Sequence, residues 1–268
     1  MTRLAANLSM MFTDLSFLER FDAAAQCGFR GVEYLFPYDA DANEIRARLD
    51  RHGLAQVLFN LPAGDWARGE RGIAGLPGRI DEFRRGVENA LRYARVTGCR
   101  KLHAMPGKVP AGVDPERCLS IFVDNLIFAA DAVAADGIDI LIEPINTRVD
   151  IPDYLLDRTD LALALMARAD RPNIKLQFDI YHMQIMEGDL ARSIERLLPR
   201  IGHMQLADNP GRNEPGTGEI HYEWLLQRID DLGYTGWIGC EYKPRGPTIA
   251  GLSWAARFLS RAASKGNA

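Results

Sequence analysis

The segment Gly137-Ile138-Asp139-Ile140-Leu141-Ile142-Glu143-Pro144 decides the fold. From Ile138 to Ile142 every residue except Asp139 is aliphatic. A strand with one wet face alternates apolar and polar positions, whereas a strand buried on both faces reads as a nearly continuous apolar run. The second pattern belongs to a parallel sheet covered by helices. On the N-terminal side, Pro115–Asp136 has helical spacing, opens at the cap-and-first-turn pair Asp114-Pro115 and stops at Gly137. On the C-terminal side the apolar run ends in a lone glutamate, Glu143, followed by proline.

The same unit repeats in both directions. Apolar runs at Leu4–Ser9, Gly31–Phe36, Ala55–Leu61, Lys101–Met105, Asp139–Ile145, Ile174–Ile180, Gly202–Ala207 and Trp237–Tyr242 predict eight strands. Helical spacing fills the seven intervals at Leu15–Cys27, Asn43–His52, Ile80–Thr97, Pro115–Asp136, Thr159–Ala169, Leu190–Leu198 and Tyr222–Leu232, and an eighth helix is expected at Ala250–Ser264. In the first helix Leu15, Leu18, Phe21 and Ala25 recur three and four apart, and Gly28 ends it. Eight strand–helix units without a break in composition predict an α/β fold, a single (β/α)8 TIM barrel spanning residues 1–268 as one domain. An open doubly wound sheet would place a glycine-rich phosphate loop after the first strand, and Asn7-Leu8-Ser9-Met10-Met11 has no glycine. Two long connections, Pro62–Arg79 and Asp208–Glu219, follow strands and therefore belong to the catalytic end of such a barrel, where loops of that length act as lids or substrate-binding elements.

Composition narrows the function. Hydrophobic residues make up 47% and charged residues 25%, which predicts a packed core and argues against disorder. The formal charge of -4 and the lack of a clustered basic face point away from nucleic acid. No membrane partner is expected. The longest apolar region, Leu119 to Ala135, is broken by Asp124, Asn125 and Asp131, and the run from Met1 to Phe12 reads as a first strand rather than a leader. Cys27, Cys99, Cys118 and Cys240 form no C-x-x-C pair and read as reduced thiols of a cytoplasmic protein. Nothing in the composition speaks against a homo-oligomer.

In a barrel of this kind, active-site residues sit at the C-terminal ends of strands. The last four strand ends carry Glu143, Asp179, Gln205 and Glu241, each a polar residue in an apolar surrounding. Such groups are costly to bury unless paired or coordinated. Three converging carboxylates would repel one another, and a divalent cation removes both problems. Carboxylates and an amide oxygen are hard donors that suit one Mg2+ or Mn2+ ion. The plainer reading of each residue is a pairing with an arginine inside the barrel.

At these residues the chain resembles the hydroxypyruvate isomerase family within the xylose isomerase-like barrel superfamily, which also includes 2-oxo-tetronate isomerases. The resemblance rests on Ala6-Asn7-Leu8-Ser9-Met10, Gly28-Phe29-Arg30-Gly31-Val32-Glu33, Asn60-Leu61-Pro62-Ala63-Gly64-Asp65-Trp66, Gly69-Glu70-Arg71-Gly72, Leu141-Ile142-Glu143-Pro144-Ile145-Asn146, Asp179-Ile180-Tyr181-His182-Met183-Gln184, Ala207-Asp208-Asn209-Pro210, Glu214-Pro215-Gly216-Thr217-Gly218-Glu219-Ile220 and Gly239-Cys240-Glu241-Tyr242-Lys243-Pro244. It implies interconversion of hydroxypyruvate and tartronate semialdehyde, or of a 2-oxo-tetronate. It also implies that Glu143 and Glu241 serve as metal ligands and proton carriers, with Asp179 and Gln205 as ligands only. The chemistry moves a carbonyl one carbon along. A metal holding the carbonyl and hydroxyl oxygens stabilises a cis-enediolate while two carboxylates act as base and acid.

A hydroxy-oxo acid substrate requires cations for its carboxylate. Lys108, Arg212, Arg71 and Lys243 are candidates, each with a plainer reading as a solvated loop charge. His182, three residues past Asp179, is expected to touch substrate or orient a ligand. Glu70 is expected to reach the site from the third loop, Asn7 and Asn60 to form walls, Trp66 to close over the ligand and Glu219 to support the metal shell. The rival readings are an isomerase or epimerase of neutral sugars on the same metal site, a multi-zinc phosphodiesterase, for which His52, His103, His182, His203 and His221 are too few, and a non-catalytic barrel, against which the four strand-end ligands argue.

Overall fold

The computed structural model describes residues 2–259. Eight parallel strands close in chain order: β1 (Arg3–Asn7), β2 (Gly31–Glu33), β3 (Ala55–Asn60), β4 (Lys101–His103), β5 (Asp139–Ile142), β6 (Ile174–Asp179), β7 (Ile201–Leu206) and β8 (Trp237–Cys240). β8 pairs back onto β1, with Ala6 opposite Cys240. The helices α1 (Glu19–Gln26), α2 (Ala42–His52), α3 (Ile80–Thr97), α4 (Pro115–Val133), α5 (Thr159–Ala169), α6 (Ile180–Met186), α7 (Leu190–Leu197) and α8 (Tyr222–Asp231) lie in the connections. This is the (β/α)8 barrel expected from the alternating pattern.

Local chemistry sets the element ends. Asp41 caps α2 by accepting from the N–H groups of Asn43 and Glu44, and Asp114 caps α4 through Glu116 N–H with Pro115 in the first turn. α4 with the 3-10 turn behind it, Pro115–Asp136, is long and apolar enough to cross a membrane by length and composition. Here it buries Cys118, Phe122, Leu126, Ala129 and Val133 in the layer between sheet and helices. Each fully buried leucine or phenylalanine in that layer contributes roughly 1.5–3 kcal/mol.

The differences from the sequence reading are systematic. Apolar character continues past the last paired residue of most strands, so the expected ends at Phe36, Met105, Ile145 and Tyr242 retreat to Glu33, His103, Ile142 and Cys240. Glu143 and Glu241 therefore stand one residue beyond their strands, on chain that has left the ladder. α1 begins at Glu19 rather than Leu15. The expected helix Ala250–Ser264 is a 3-10 helix over Thr248–Ala255, and residues 260–264 lie outside the described chain. α6 is a further difference: its segment Ile180–Met186 is short and continuous with β6.

The core has two parts. The larger lies between strands and helices. A small second cluster holds Ala5, Val57, Leu58 and Leu141 with Trp237 packed against it. Side chains two residues apart on a strand share a face. The face that carries Ala5 and Leu141 therefore carries Asn7 and Glu143 two residues on. One end of the barrel interior is apolar and the other is polar.

Candidate active site at the barrel mouth

Asn7, Glu33, His103, Gln177, Asp179, His203 and Gln205 project from the strands at the polar end, and Glu143 and Glu241 join them from just beyond β5 and β8; all are buried. Cys240, the neighbour of Glu241, faces the helices instead.

These groups form a hydrogen-bonded belt centred on Gln205. Gln205 Nε2 donates to Glu33 Oε1 at 2.8 Å and to Glu241 Oε2, and its Oε1 accepts from Gln177 Nε2 at 2.6 Å. Two carboxyls on one side of the amide fix which end is nitrogen. Gln177 Nε2 also donates to Glu143 Oε2 at 3.0 Å. Asn7 Nδ2 bridges Glu33 Oε1 at 3.0 Å and Glu241 Oε2 at 3.2 Å, while Glu33 Oε2 meets His203 Nε2 at 2.7 Å. Glu33 has room because residue 239 is glycine: a Cβ there would lie 2.2 Å from Glu33 Oε1.

Above the belt, Glu143 Oε1 and Asp179 Oδ2 are buried without a hydrogen-bond partner. His182 Nε2 lies 3.8 Å from the first and 3.6 Å from the second. Glu143, Asp179 and His182 thus place candidate ligand atoms within 4.8 Å of one another. The imidazole, however, is held as a donor on this side. Asn146 Oδ1 accepts the N–H groups of Val149 and Asp150, so its Nδ2 faces His182 Nδ1 at 2.7 Å. Burial, with Arg212 adding to it, drives the His182 pKa well below the usual range and keeps the ring neutral. With Nδ1 accepting, the proton sits on Nε2 and points toward the carboxyls. His182 is therefore better suited to donate to an incoming oxygen than to ligate a cation.

Burial raises all three carboxyl groups: Glu143, pushed further by Glu241 and Asp179, and Asp179 and Glu241 in spite of Arg212. Arg212 supplies part of the missing positive charge. Its Nη2 donates to Glu241 Oε1 at 2.8 Å and lies 3.8 Å from Asp179 Oδ2, its Nη1 is 3.3 Å from Asp150 Oδ1, and the guanidinium stands 5.2 Å from the Tyr181 ring centroid. The loop holding it is organised by buried Asp208, which accepts from the N–H groups of Asn209, Gly216, Thr217, Gly218 and Ile220.

A cavity of about 300 Å³ opens above these groups, at the small end of ligand pockets. Glu143, Glu241, His182 and Arg212 line it, as do Asn60, Trp66, Arg71 and Lys243. Two expected contacts lie elsewhere. Lys108 is exposed and its residue bridges to Tyr154 outside the cavity lining. Glu70 is turned away: its carboxylate takes Arg79 Nη1 at 2.6 Å and the Asp65 N–H, because the loop folds back on itself. Glu219 accepts from Gln184 Nε2 and Asn209 Nδ2 at the surface, away from the carboxyl cluster. Asn7 lies in the belt rather than in the wall. Glu33, Gln177, His103 and Asp150 are not among the site residues expected from the sequence. Glu33 and Gln177 carry the same signal as the chosen four, a polar residue in an apolar strand.

With that geometry in place, comparison with known proteins is informative. Residues 21–262 match a family model described as a xylose isomerase-like TIM barrel. The chain is 53% identical to a 2-oxo-tetronate isomerase of Cupriavidus necator, covering 97% of this chain and all of that protein. It is 52% identical to the hydroxypyruvate isomerase of Escherichia coli, covering 95% of this chain and 98% of that protein. A crystal structure from Brucella melitensis, described as an AP endonuclease, family 2, superposes with a TM-score of 0.94 at 50% identity, covering 97% of this chain and all of that one.

Proposed function

The chain belongs to the xylose isomerase-like TIM barrel family, and from that premise we propose that it is an isomerase of small hydroxy-oxo acids, interconverting hydroxypyruvate and tartronate semialdehyde. The observation that carries the reading is that Glu143 and Glu241, from the ends of two strands three apart in the barrel, open on one cavity with buried Asp179 beside them. A 2-oxo-tetronate presents the same hydroxyl, carbonyl and carboxylate unit with one carbon more, and the name of the Cupriavidus relative favours it as a second substrate. The cations lining the cavity favour an acid over a neutral sugar. Phosphodiester cleavage is not proposed: five histidines are too few for a multi-zinc centre, and the formal charge of -4 is the wrong sign for a nucleic-acid substrate.

The orphaned buried oxygens of Glu143 and Asp179 fit a cation, and so does the donor set. Glu143, Asp179, Glu241 and the Oε1 of Gln205 would hold one Mg2+ or Mn2+. Such an ion would supply Lewis-acid polarisation of the substrate's adjacent hydroxyl and carbonyl oxygens and so acidify the C–H bond of the hydroxyl-bearing carbon.

The protein's own groups do the rest. One glutamate takes the proton from the hydroxyl-bearing carbon and the other delivers a proton to the neighbouring carbon, while the hydroxyl proton passes to the former carbonyl oxygen, so that the atoms balance and the carbonyl is shifted. Gln177 holds Glu143 by Oε2, leaving Oε1 to face the cavity. Asn7 and Gln205 hold Glu241 by Oε2, and Arg212 holds it by Oε1. His182 Nε2–H is placed to donate to a substrate oxygen that gains charge during the transfer. Four free thiols suit a reducing, cytoplasmic setting.

The test is turnover of hydroxypyruvate and a 2-oxo-tetronate in D2O, followed by NMR, before and after exhaustive chelation and on restoring Mg2+ or Mn2+. Isomerisation with deuterium entering the carbon skeleton, lost on chelation and recovered with metal, is the expected result. No turnover of either acid by the metal-replete protein, or full turnover after stripping, would overturn the reading.

A further inference from the structure

Resting on the isomerase reading, we propose that Arg71 is the residue that binds the substrate carboxylate and ties the enzyme to anionic substrates. Three cations line the cavity: Arg71, Arg212 and Lys243. Arg212 is already neutralised, with Glu241, Asp150 and Asp179 around its guanidinium. Arg71 is not. Among the described residues it enters no ion pair, and the neighbouring Glu70 is committed to Arg79 through both carboxylate oxygens. A cation that faces a cavity without a counter-charge is an anion site.

The remaining hydrogen-bond capacity of Arg71 has the right shape. Its Nη1 donates to the carbonyls of Trp66 at 3.1 Å and Glu70 at 2.7 Å, and the guanidinium stacks on the Trp66 ring with 4.1 Å to the centroid. Those contacts fix the plane of the group and occupy one nitrogen. Its Nε and Nη2 make no hydrogen bond among the described residues. That edge presents two parallel N–H donors, the pair that a carboxylate accepts in a bidentate fork.

The loop is also anchored to the barrel. Gly72 has φ +118°, and a Cβ there would lie 2.4 Å from the Met105 carbonyl oxygen. Gly72 N–H donates to the Ala63 carbonyl, and Ala74 N–H to the Met105 carbonyl just beyond β4. The residue before Gly72 is thereby held over the cavity before any ligand arrives, so little further order is imposed on binding.

The experiment uses the metal-loaded protein and glycerate, an unreactive three-carbon hydroxy acid, titrated by calorimetry into wild type, Arg71→Gln and Arg71→Lys. We expect glycerate to bind Arg71→Gln roughly ten- to a hundredfold more weakly, the size of a lost charge-assisted contact. The hydroxypyruvate KM should rise by a similar factor with kcat changed less, Mn2+ affinity should stay as in wild type, and Arg71→Lys should recover part of the loss. Glycerate affinity and KM unchanged in Arg71→Gln would overturn the assignment. If the wild type binds glycerate through Arg71 but turns over no hydroxy-oxo acid, the carboxylate site stands and the isomerase reading falls.

Discussion

Arg212 Nη2 donates to Glu241 Oε1 at 2.8 Å, in a place where only 13% of the arginine side chain meets solvent. The pair is what keeps Glu241 compensated at the barrel mouth. Removing one partner of a buried ion pair leaves the other without compensation and costs about 3–5 kcal/mol. Above about pH 8, where Glu241 is ionised, Arg212→Ala is therefore expected to lower the stability of the metal-free protein by that order, measured by urea denaturation, and to lose less once Mn2+ is bound. An unchanged denaturation midpoint with only a higher KM would mean that the guanidinium serves substrate alone.

Glu143 and Glu241 are held by one oxygen each from Gln177 and from Asn7 with Gln205. An amide in place of either carboxyl keeps shape and one acceptor but cannot exchange a proton. Glu143→Gln and Glu241→Gln are each expected to lower kcat by on the order of 10²- to 10⁴-fold. Calorimetry should still detect Mn2+ binding. Wild-type turnover in either variant with metal bound would remove that residue from the proton path.

The sequence exposes the barrel because period and caps repeat eight times, and it exposes Glu143, Asp179, Gln205 and Glu241 because each interrupts an apolar run. Leu176-Gln177-Phe178-Asp179 shows what a finer reading holds: two polar residues two apart share the inward face of β6, so Gln177 points where Asp179 points. Gly31-Val32-Glu33 carries the same isolated charge, and its partner glycine at 239 comes from a strand 206 residues away, which no local pattern reveals. Loop charges are less legible still. Lys108 and Arg71 are equally basic in the sequence; Arg71 comes over the cavity with the fold-back of the 62–79 loop, where Glu70 is turned to Arg79, whereas Lys108, beyond β4, pairs beside Tyr154 outside the lining. The proton position on His182 depends on Asn146, 36 residues earlier.

Gly239 is the clearance for Glu33. A methyl group at 2.2 Å from Glu33 Oε1 cannot be accommodated without moving the carboxyl that holds Gln205 Nε2. Gly239→Ala is expected to destabilise the protein by about 1–3 kcal/mol, as overpacked cores do. It should also weaken Mn2+ affinity, because the Gln205 amide loses its anchor. A folded variant with unchanged melting temperature and metal affinity would show that Glu33 does not orient Gln205.

The raised carboxyls set a pH dependence with a definite sign. Burial lifts Glu241 from its ordinary 4.5 to about 8 and Asp179 from 3.8 to about 6, and Glu143 moves in the same direction. In the metal-free protein these groups hold protons in the folded state that the unfolded chain has already released. Stability then falls as pH rises, by up to about 1.4 kcal/mol per pH unit for each proton of difference. The loss is spread from the unfolded value of 4.5 to about 8 for Glu241. A divalent cation competes with those same protons, so its binding strengthens over the window in which the metal-free protein weakens. Calorimetric melting temperatures with and without Mn2+ should therefore diverge steadily as pH rises from 5 to about 8. A gap that stays flat or narrows over that range would be incompatible with Glu143, Asp179 and Glu241 sharing one buried cation.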